Sequence, residues 1–299
     1  MILGSGLIQA SGKTRLTLYT TKSGTFNPTI VASDTSGIIW DFGDGSATYT
    51  GGTPSHSYAD GTQKTVTITF DDPTLVTQLN FQNQSMKGEW PMSSLADFTA
   101  LTQLRAYNDT MLNISGDVSE IPSSLQILQC FNNASTISGQ FSDFPVSMTT
   151  IYLNDTSCSI TGAMPDLPAS LQNLYFYRSN CVLSGNLADA PASLRTVLVH
   201  DTSSNIGGGA TAMAAVGIQQ IRVDSSSTTQ GNIDDILLRL YTDRASFTWA
   251  TPTLNVGSTN PDPSGVYQDA TPPTTGLEYA YKLVVDPDTE GFNTWTVTY

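Results

Sequence analysis

The chain has 299 residues, 39% of them hydrophobic, so it can bury a sizeable core, but only 13% are charged and its polar surface must be built from Ser, Thr, Asn, Gln and Gly. A net charge of −14, with 12 basic residues scattered along the chain, excludes attachment to nucleic acid or anionic membrane by counterion release. Three Cys, two His and no C-x-x-C exclude a disulfide framework and a Cys/His zinc site. No run of about 20 apolar residues spans a membrane, and no cofactor is expected. The texture suits an extracellular or particle-bound β-protein. The opening residues lack the positive start and apolar run of a secretory signal, which is the pattern expected of a protein released by lysis in a particle.

Residues 1–13 form an N-terminal segment. Beyond it, TFNPTIVASDTSGIIW is rich in β-branched residues and KTVTITF alternates strictly from Lys64 to Phe70, so both predict strands. Between them DFGDGS has the composition of a tight turn, with Gly43 and Gly45 beside Asp41 and Asp44. The two aspartates admit a calcium site or plain turn chemistry, and two local carboxylates fall short of what calcium needs. Trp40 is expected to plant its ring in a small core, with His56 and Tyr58 packing back on the turn. The run Trp40-Asp41-Phe42-Gly43-Asp44-Gly45, then His56-x-Tyr58, Gly61 and V-T-I-T, resembles the polycystic kidney disease (PKD) domain. That resemblance implies an immunoglobulin-like β-sandwich over residues 14–72, used as a spacer or adhesion module.

From 73 to 247 the chain repeats. LTQLRA, LQILQC, MTTIYL, LQNLYF, LRTVLV and IQQIRV begin at Leu101, Leu125, Met148, Leu171, Leu194 and Ile218, with VTQLNF at Val76 one step earlier. Gly116, Gly139, Gly162, Gly185, Gly208 and Gly231 recur every 23 residues. Each unit predicts one short parallel strand whose inward apolar residues are buried only when neighbours stack on it, with the Gly allowing a turn and the Pro stopping a helix. The pattern L-x-x-L-x-ϕ, then I/L-S/T-G-x-ϕ and P-x-S, resembles the leucine-rich repeat. The Asn ladder of that family is expected to be partial, because Asn does not stay in one column. Cys130 reads as a core residue. Cys158 and Cys181, at one offset in adjacent repeats, admit either a disulfide or two buried thiols.

Alternation along each strand points Arg105, Tyr107, Gln129, Phe131, Tyr152, Asn154, Tyr175, Tyr177, Leu198, His200, Arg222 and Asp224 outwards. Rings beside Arg, Asn and Gln offer contact area at low entropy, so Arg105, Tyr107, Phe131, Tyr152, Tyr175, Tyr177, Arg178, His200 and Arg222 are the candidate ligand-binding face, with Arg178 able to fork a carboxylate. The alternative is that tyrosines simply suit strands. No catalytic residue is expected. Asp155 and Asp201 lie just past strand ends two repeats apart, roughly 10 Å by strand spacing, and the adjacency of His200 and Asp201 suits a triad poorly. Asn108, Asn113, Asn133 and Asn154 begin N-x-S/T, read as polar composition.

IDDILLRLYTDRASF, from Ile233, predicts a short helix that resembles a solenoid cap. Residues 248–299 read as a cap or attachment segment with two strand-like runs, EYAYKLVV and TWTVTY, the latter tied into a sheet. Asp286 to Glu290 reads as a turn rather than a calcium loop. The texture LNVGSTN…PSGVYQD…PPTTGLEYAYKLVVDP resembles segments following leucine-rich repeats in proteins of bacteriophages that infect Bacteroidetes-type hosts. The fold class expected is therefore mainly β: an immunoglobulin-like sandwich, a leucine-rich-repeat solenoid and a β-containing cap. The function expected is that of a non-enzymatic virion protein, a tail fibre or other exposed component, binding a host glycan or protein and other virion subunits. A structural decoration subunit and an extracellular adhesin are the alternatives, and homo-oligomerisation stays open.

Overall fold

The computed structural model describes residues 13–249, 251–266, 272–285 and 294–299. They are mainly β, with two α-helices among the described residues, neither long and apolar enough to cross a membrane. The chain divides into two compact units. One holds the residues up to 139 with 143–148 and 152–158; the other holds 140–142, 149–151 and the residues from 159 on.

The first unit begins with a sandwich of β1 (Thr14–Thr20), β2 (Gly24–Phe26), β3 (Thr29–Ala32), β4 (Ile38–Asp41), β5 (Tyr49–Thr50), β6 (His56–Tyr58) and β7 (Lys64–Phe70). Strand β7 lies antiparallel between β1 and β4. Its strict alternation buries Val66, Ile68 and Phe70 beside Leu16, Leu18, Ile38 and Trp40. Trp40 donates its indole N–H to Gly51 O at 2.8 Å, and Tyr58 its hydroxyl to Phe42 O at 2.9 Å. His56 stacks on Phe42 with centroids 4.1 Å apart. At Gly43, with φ of +72°, a Cβ would sit 2.1 Å from Thr65 O, so only glycine fits this turn.

The first repeat is paired directly onto the sandwich. Strand β8 (Val76–Asn80) runs antiparallel to β3, placing Leu79 opposite Ile30, and β9 (Met86–Pro91) meets β1 antiparallel, Met86 opposite Thr20. Gln103–Arg105 and Ile127–Gln129 follow β8 in parallel; Met111–Asp117 and Thr136–Gln140 follow β9 in parallel. The outer edges of β1 and β3 are thus covered by backbone pairing rather than left open.

In the second unit Asn173–Tyr175, Thr196–Leu198, Gln220–Arg222, Thr253–Asn255 and Thr296–Thr298 pair in parallel in that order. Ser159–Ala163, Val182–Asn186 and Asn205–Gly207 form a second parallel set. Sequence predicts one strand per repeat; a typical repeat instead makes two, followed by a 3-10 turn such as Val118–Glu120, Met164–Asp166 or Leu187–Asp189. The I/L-S/T-G-x segment is the second strand. Its Gly takes positive φ at 116, 139, 162 and 185, where the chain bends against the preceding repeat: a Cβ on Gly139 would meet Val118 Cγ2 at 2.5 Å. The register then breaks. Gly208 instead clears the backbone of helix α1 (Gln230–Thr242), a Cβ there falling 1.8 Å from Asp235 O, and Gly231 belongs to that helix.

The tail corrects a second expectation. EYAYKLVV is not a strand but helix α2 (Gly276–Val284). Glu278 accepts from the backbone N–H of Thr274 at 2.6 Å and Thr275 at 3.0 Å, so a carboxylate satisfies donors at the helix start and overrides the alternating pattern. TWTVTY does supply a strand, Val297 lying opposite Leu254. Asp286 to Glu290 lies outside the described residues.

Candidate functional site

Every repeat ends its first strand in the same way. Asn83, Asn108, Asn132, Asp155, Arg178, Asp201 and Ser225 all adopt φ between 50° and 59°, the left-handed region. Within each unit this residue donates its N–H to the next repeat: Asn108 to Phe131 O, Arg178 to His200 O, Asp201 to Asp224 O. The turn swings the chain inwards and sets how the preceding residue sits.

Stacking brings the predicted rings together. In the first unit Tyr107 and Phe131 lie 4.2 Å apart at 12°, and Phe131 and Tyr152 lie 4.2 Å apart at 27°. All three are half-buried. In-register parallel strands are about 4.8 Å apart, so Tyr107 and Phe131, at equivalent positions, meet face to face, while Tyr152, which matches Gln129, reaches across to Phe131. Their faces are largely covered by one another, and edges and tyrosine hydroxyls are what remain for solvent. Arg105 sits in register with Asn80 and Gln129, its Nε buried with no hydrogen-bond partner among the described residues.

In the second unit Tyr177 stacks on His200 at 4.4 Å and 14°, with the Arg178 guanidinium 5.3 Å from the Tyr177 ring centre. Arg178 is 59% exposed, and its Nε lies 3.9 Å from Asp201 Oδ2. Arg222 already forks a carboxylate of its own chain: Nε and Nη2 donate to Asp224 at 2.6 and 3.0 Å, raising the Arg222 pKa. Tyr175 and Leu198 are half-buried on this face.

Three residues expected to point outwards do not. Asn154, His200 and Asp224 are 2%, 2% and 5% exposed. Each precedes a left-handed residue, as the half-buried Tyr107, Phe131 and Tyr177 also do, but each is covered by partners. Asn154 donates to Asp155 Oδ2 at 2.8 Å, His200 lies against Tyr177, and Arg222 forks Asp224. Asn133 is buried as well, donating to Ala106 O at 2.8 Å, so neither it nor Asn154 is a surface acceptor for a glycan. The contact between His200 Nδ1 and Asp201 Oδ2, at 3.0 Å, was not expected of adjacent residues; the left-handed turn at Asp201 brings its carboxylate back. Burial lowers the His200 pKa and favours the neutral ring.

An Asn ladder spans part of the repeats, Asn132 Nδ2 donating to Asn108 Oδ1 at 2.8 Å and Asn108 Nδ2 to Asn83 Oδ1 at 3.1 Å, and a separate ladder is built of hydroxyls and a thiol. Ile114 N–H donates to Ser135 Oγ at 3.1 Å, Ile160 N–H to Cys181 Sγ at 3.4 Å, Leu183 N–H to Ser204 Oγ at 3.0 Å and Ile206 N–H to Thr228 Oγ1 at 3.5 Å. All three cysteines are buried free thiols. Cys158 donates to Ser135 O at 3.6 Å, and burial raises the pKa of Cys130 and Cys181. The aspartates of the opening turn serve the turn. Asp41 accepts from Gly43 N–H at 2.9 Å, and hydrogen bonds from Ser46, then His56, hold the Asp44 carboxyl at about 2.

Sequence reasoning missed a polar cavity of about 380 Å³ in the first unit, lined by Lys22, Asn27, Thr29, Asn80, Gln82, Asn83 and Gln84. Its signal was the amide-dense run Asn-Phe-Gln-Asn-Gln from Asn80 to Gln84, directly after β8. Near it Asp109 is buried, accepts from Met86 N–H at 3.1 Å, and is pushed up to about 6 by that burial.

No curated protein matches this chain. Among solved structures, the crystal structure of a pollen receptor kinase 3 aligns at 18% identity with a TM-score of 0.30, covering 44% of this chain and 64% of that one, so this chain spans less than two thirds of its length. Residues 10–81 match the family model of the PKD domain, and the sandwich that carries Trp40, His56 and Tyr58 is a domain of that kind.

Proposed function

We propose that this is a non-enzymatic binding protein exposed on a bacteriophage particle, in which a PKD-type sandwich carries a solenoid of leucine-rich-repeat type that contacts a host-surface glycan or protein. The observation that carries the reading is the row of half-buried rings on the first strand face, Tyr107, Phe131 and Tyr152, with Tyr177 and Arg178 on the equivalent face of the second unit. Rigid rings with polar edges make contact at low entropic penalty. Since the rings stack on each other, the partner meets edges and hydroxyls, and recognition is directional rather than a flat stacking platform. His200 continues the row as a buried ring stacked on Tyr177, and supports it without offering surface of its own. The particle assignment is supported by the resemblance of the C-terminal segment to phage proteins.

The test is adsorption of the purified full chain to candidate host cells and to their extracted surface polysaccharide. Tyr152→Ala and Tyr177→Ala should each weaken adsorption at least about fivefold while leaving the melting midpoint within a few degrees. Unchanged adsorption in the double variant would sink the receptor reading. Release of reducing ends from the polysaccharide would replace it with an enzyme.

A further inference from the structure

We infer that the amide-lined cavity beside β8 is a second binding site, one for a neutral, hydroxyl-rich ligand such as a terminal sugar of a glycan. The inference does not depend on the ring wall being a receptor surface.

The cavity is held open by backbone pairing. Thr29 and Asn80 face each other across β3 and β8. The loop after β8 supplies Gln82, Asn83 and Gln84, and the sandwich supplies Lys22 and Asn27. Its side chains are fixed by one another. Gln84 accepts from Asn27 N–H at 2.9 Å and donates to Asn27 Oδ1 at 3.3 Å and Gln82 O at 2.8 Å. Asn80 Oδ1 accepts from Gln82 N–H at 3.2 Å, and Lys22 Nζ donates to Asn83 O at 2.6 Å. Asn83 is fixed from the next repeat, accepting from Asn108 Nδ2 at 3.1 Å. A site whose amides are already fixed loses little entropy on binding.

One polar atom of the lining is left over. Gln82 Oε1, an acceptor, is buried with no hydrogen-bond partner among the described residues. Leaving a buried polar atom unpaired is unfavourable by about 1–3 kcal/mol. A hydroxyl is the simple group that both donates and accepts. The lining contains five amides, one Thr and one Lys, with no apolar side chain. An apolar ligand would strand those amides. An anion would find a single ammonium already engaged with Asn83 O. The cavity volume lies at the lower end of the roughly 300–1,000 Å³ range of small-molecule sites.

The test uses the full chain and saturation-transfer NMR with the methyl glycosides of glucose, galactose, mannose and N-acetylglucosamine. At least one should show saturable transfer. Gln82→Leu and Lys22→Ala, the latter an exchange on the cavity rim that leaves the core intact, should each weaken it by about tenfold. Loss of transfer in Gln82→Leu, which leaves Tyr107, Phe131 and Tyr152 in place, separates this site from the wall. The inference is overturned if no glycoside gives saturable transfer, if both variants bind like the parent, or if glucuronate binds and the neutral glycosides do not.

Discussion

Trp40 and Phe81 lie with ring centroids 6.3 Å apart, both fully buried, although one belongs to the sandwich and the other follows the first strand of the first repeat. Phe81 in turn meets Trp90 edge-on at 5.5 Å. The two folding motifs of the first unit therefore share a core as well as two sheets.

Trp40→Ala should consequently destabilise the whole first unit, by about 3–5 kcal/mol. Hydrogen exchange should show amides of β8, β9 and Gln103–Arg105 losing protection together with those of β4 and β7. Loss confined to the sandwich would show that the two motifs unfold separately.

Asp109 makes stability fall as pH rises. Its folded pKa of about 6 lies above the ordinary 3.8, so the folded state holds the proton more tightly than the unfolded chain. The stabilising contribution is complete below pH 4 and is lost as pH passes through 6, a swing of roughly 3 kcal/mol at most. Asp109→Asn, which keeps an acceptor for Met86 N–H, should raise stability at pH 7.5 and flatten the profile between pH 4 and 7.5. Urea titrations across that range check both.

The hydroxyl and thiol ladder gives a graded series. Ser204→Ala leaves the buried N–H of Leu183 without its acceptor and should destabilise by about 1–3 kcal/mol. Cys181→Ser keeps an acceptor for Ile160 N–H and should stay within about 1 kcal/mol of the parent. Equal losses in the two variants, measured by denaturant titration, would mean that packing rather than hydrogen bonding governs the column.

Cys130, Cys158 and Cys181 are inaccessible, and burial holds the Cys130 and Cys181 thiols in the protonated form. A disulfide reagent at neutral pH should label none of them in the folded chain and all three after unfolding. Rapid labelling of one thiol under native conditions would place that repeat in an open state.

The sequence by itself determined the elements whose pattern is local. Strict alternation from Lys64 to Phe70 fixed β7, the Trp40 to Tyr58 motif fixed the turn it closes, and the 23-residue period fixed which apolar residues stack. The Thr275-x-x-Glu278 spacing, whose Glu278 accepts from the Thr275 N–H, was also there to be read, but the alternating EYAYKLVV run masked it. Only the tertiary structure decided what depends on neighbours brought close by stacking. Partners on neighbouring positions covered His200 and Asp224, the first under Tyr177 and the second in the fork of Arg222, which alternation alone cannot foresee. The ring row became a stack of edges because rings about one strand spacing apart cover each other's faces. The amide cavity arose because β3 pairs with β8, gathering Lys22, Asn27 and Thr29 beside Gln82, which lies more than 50 residues away in the chain.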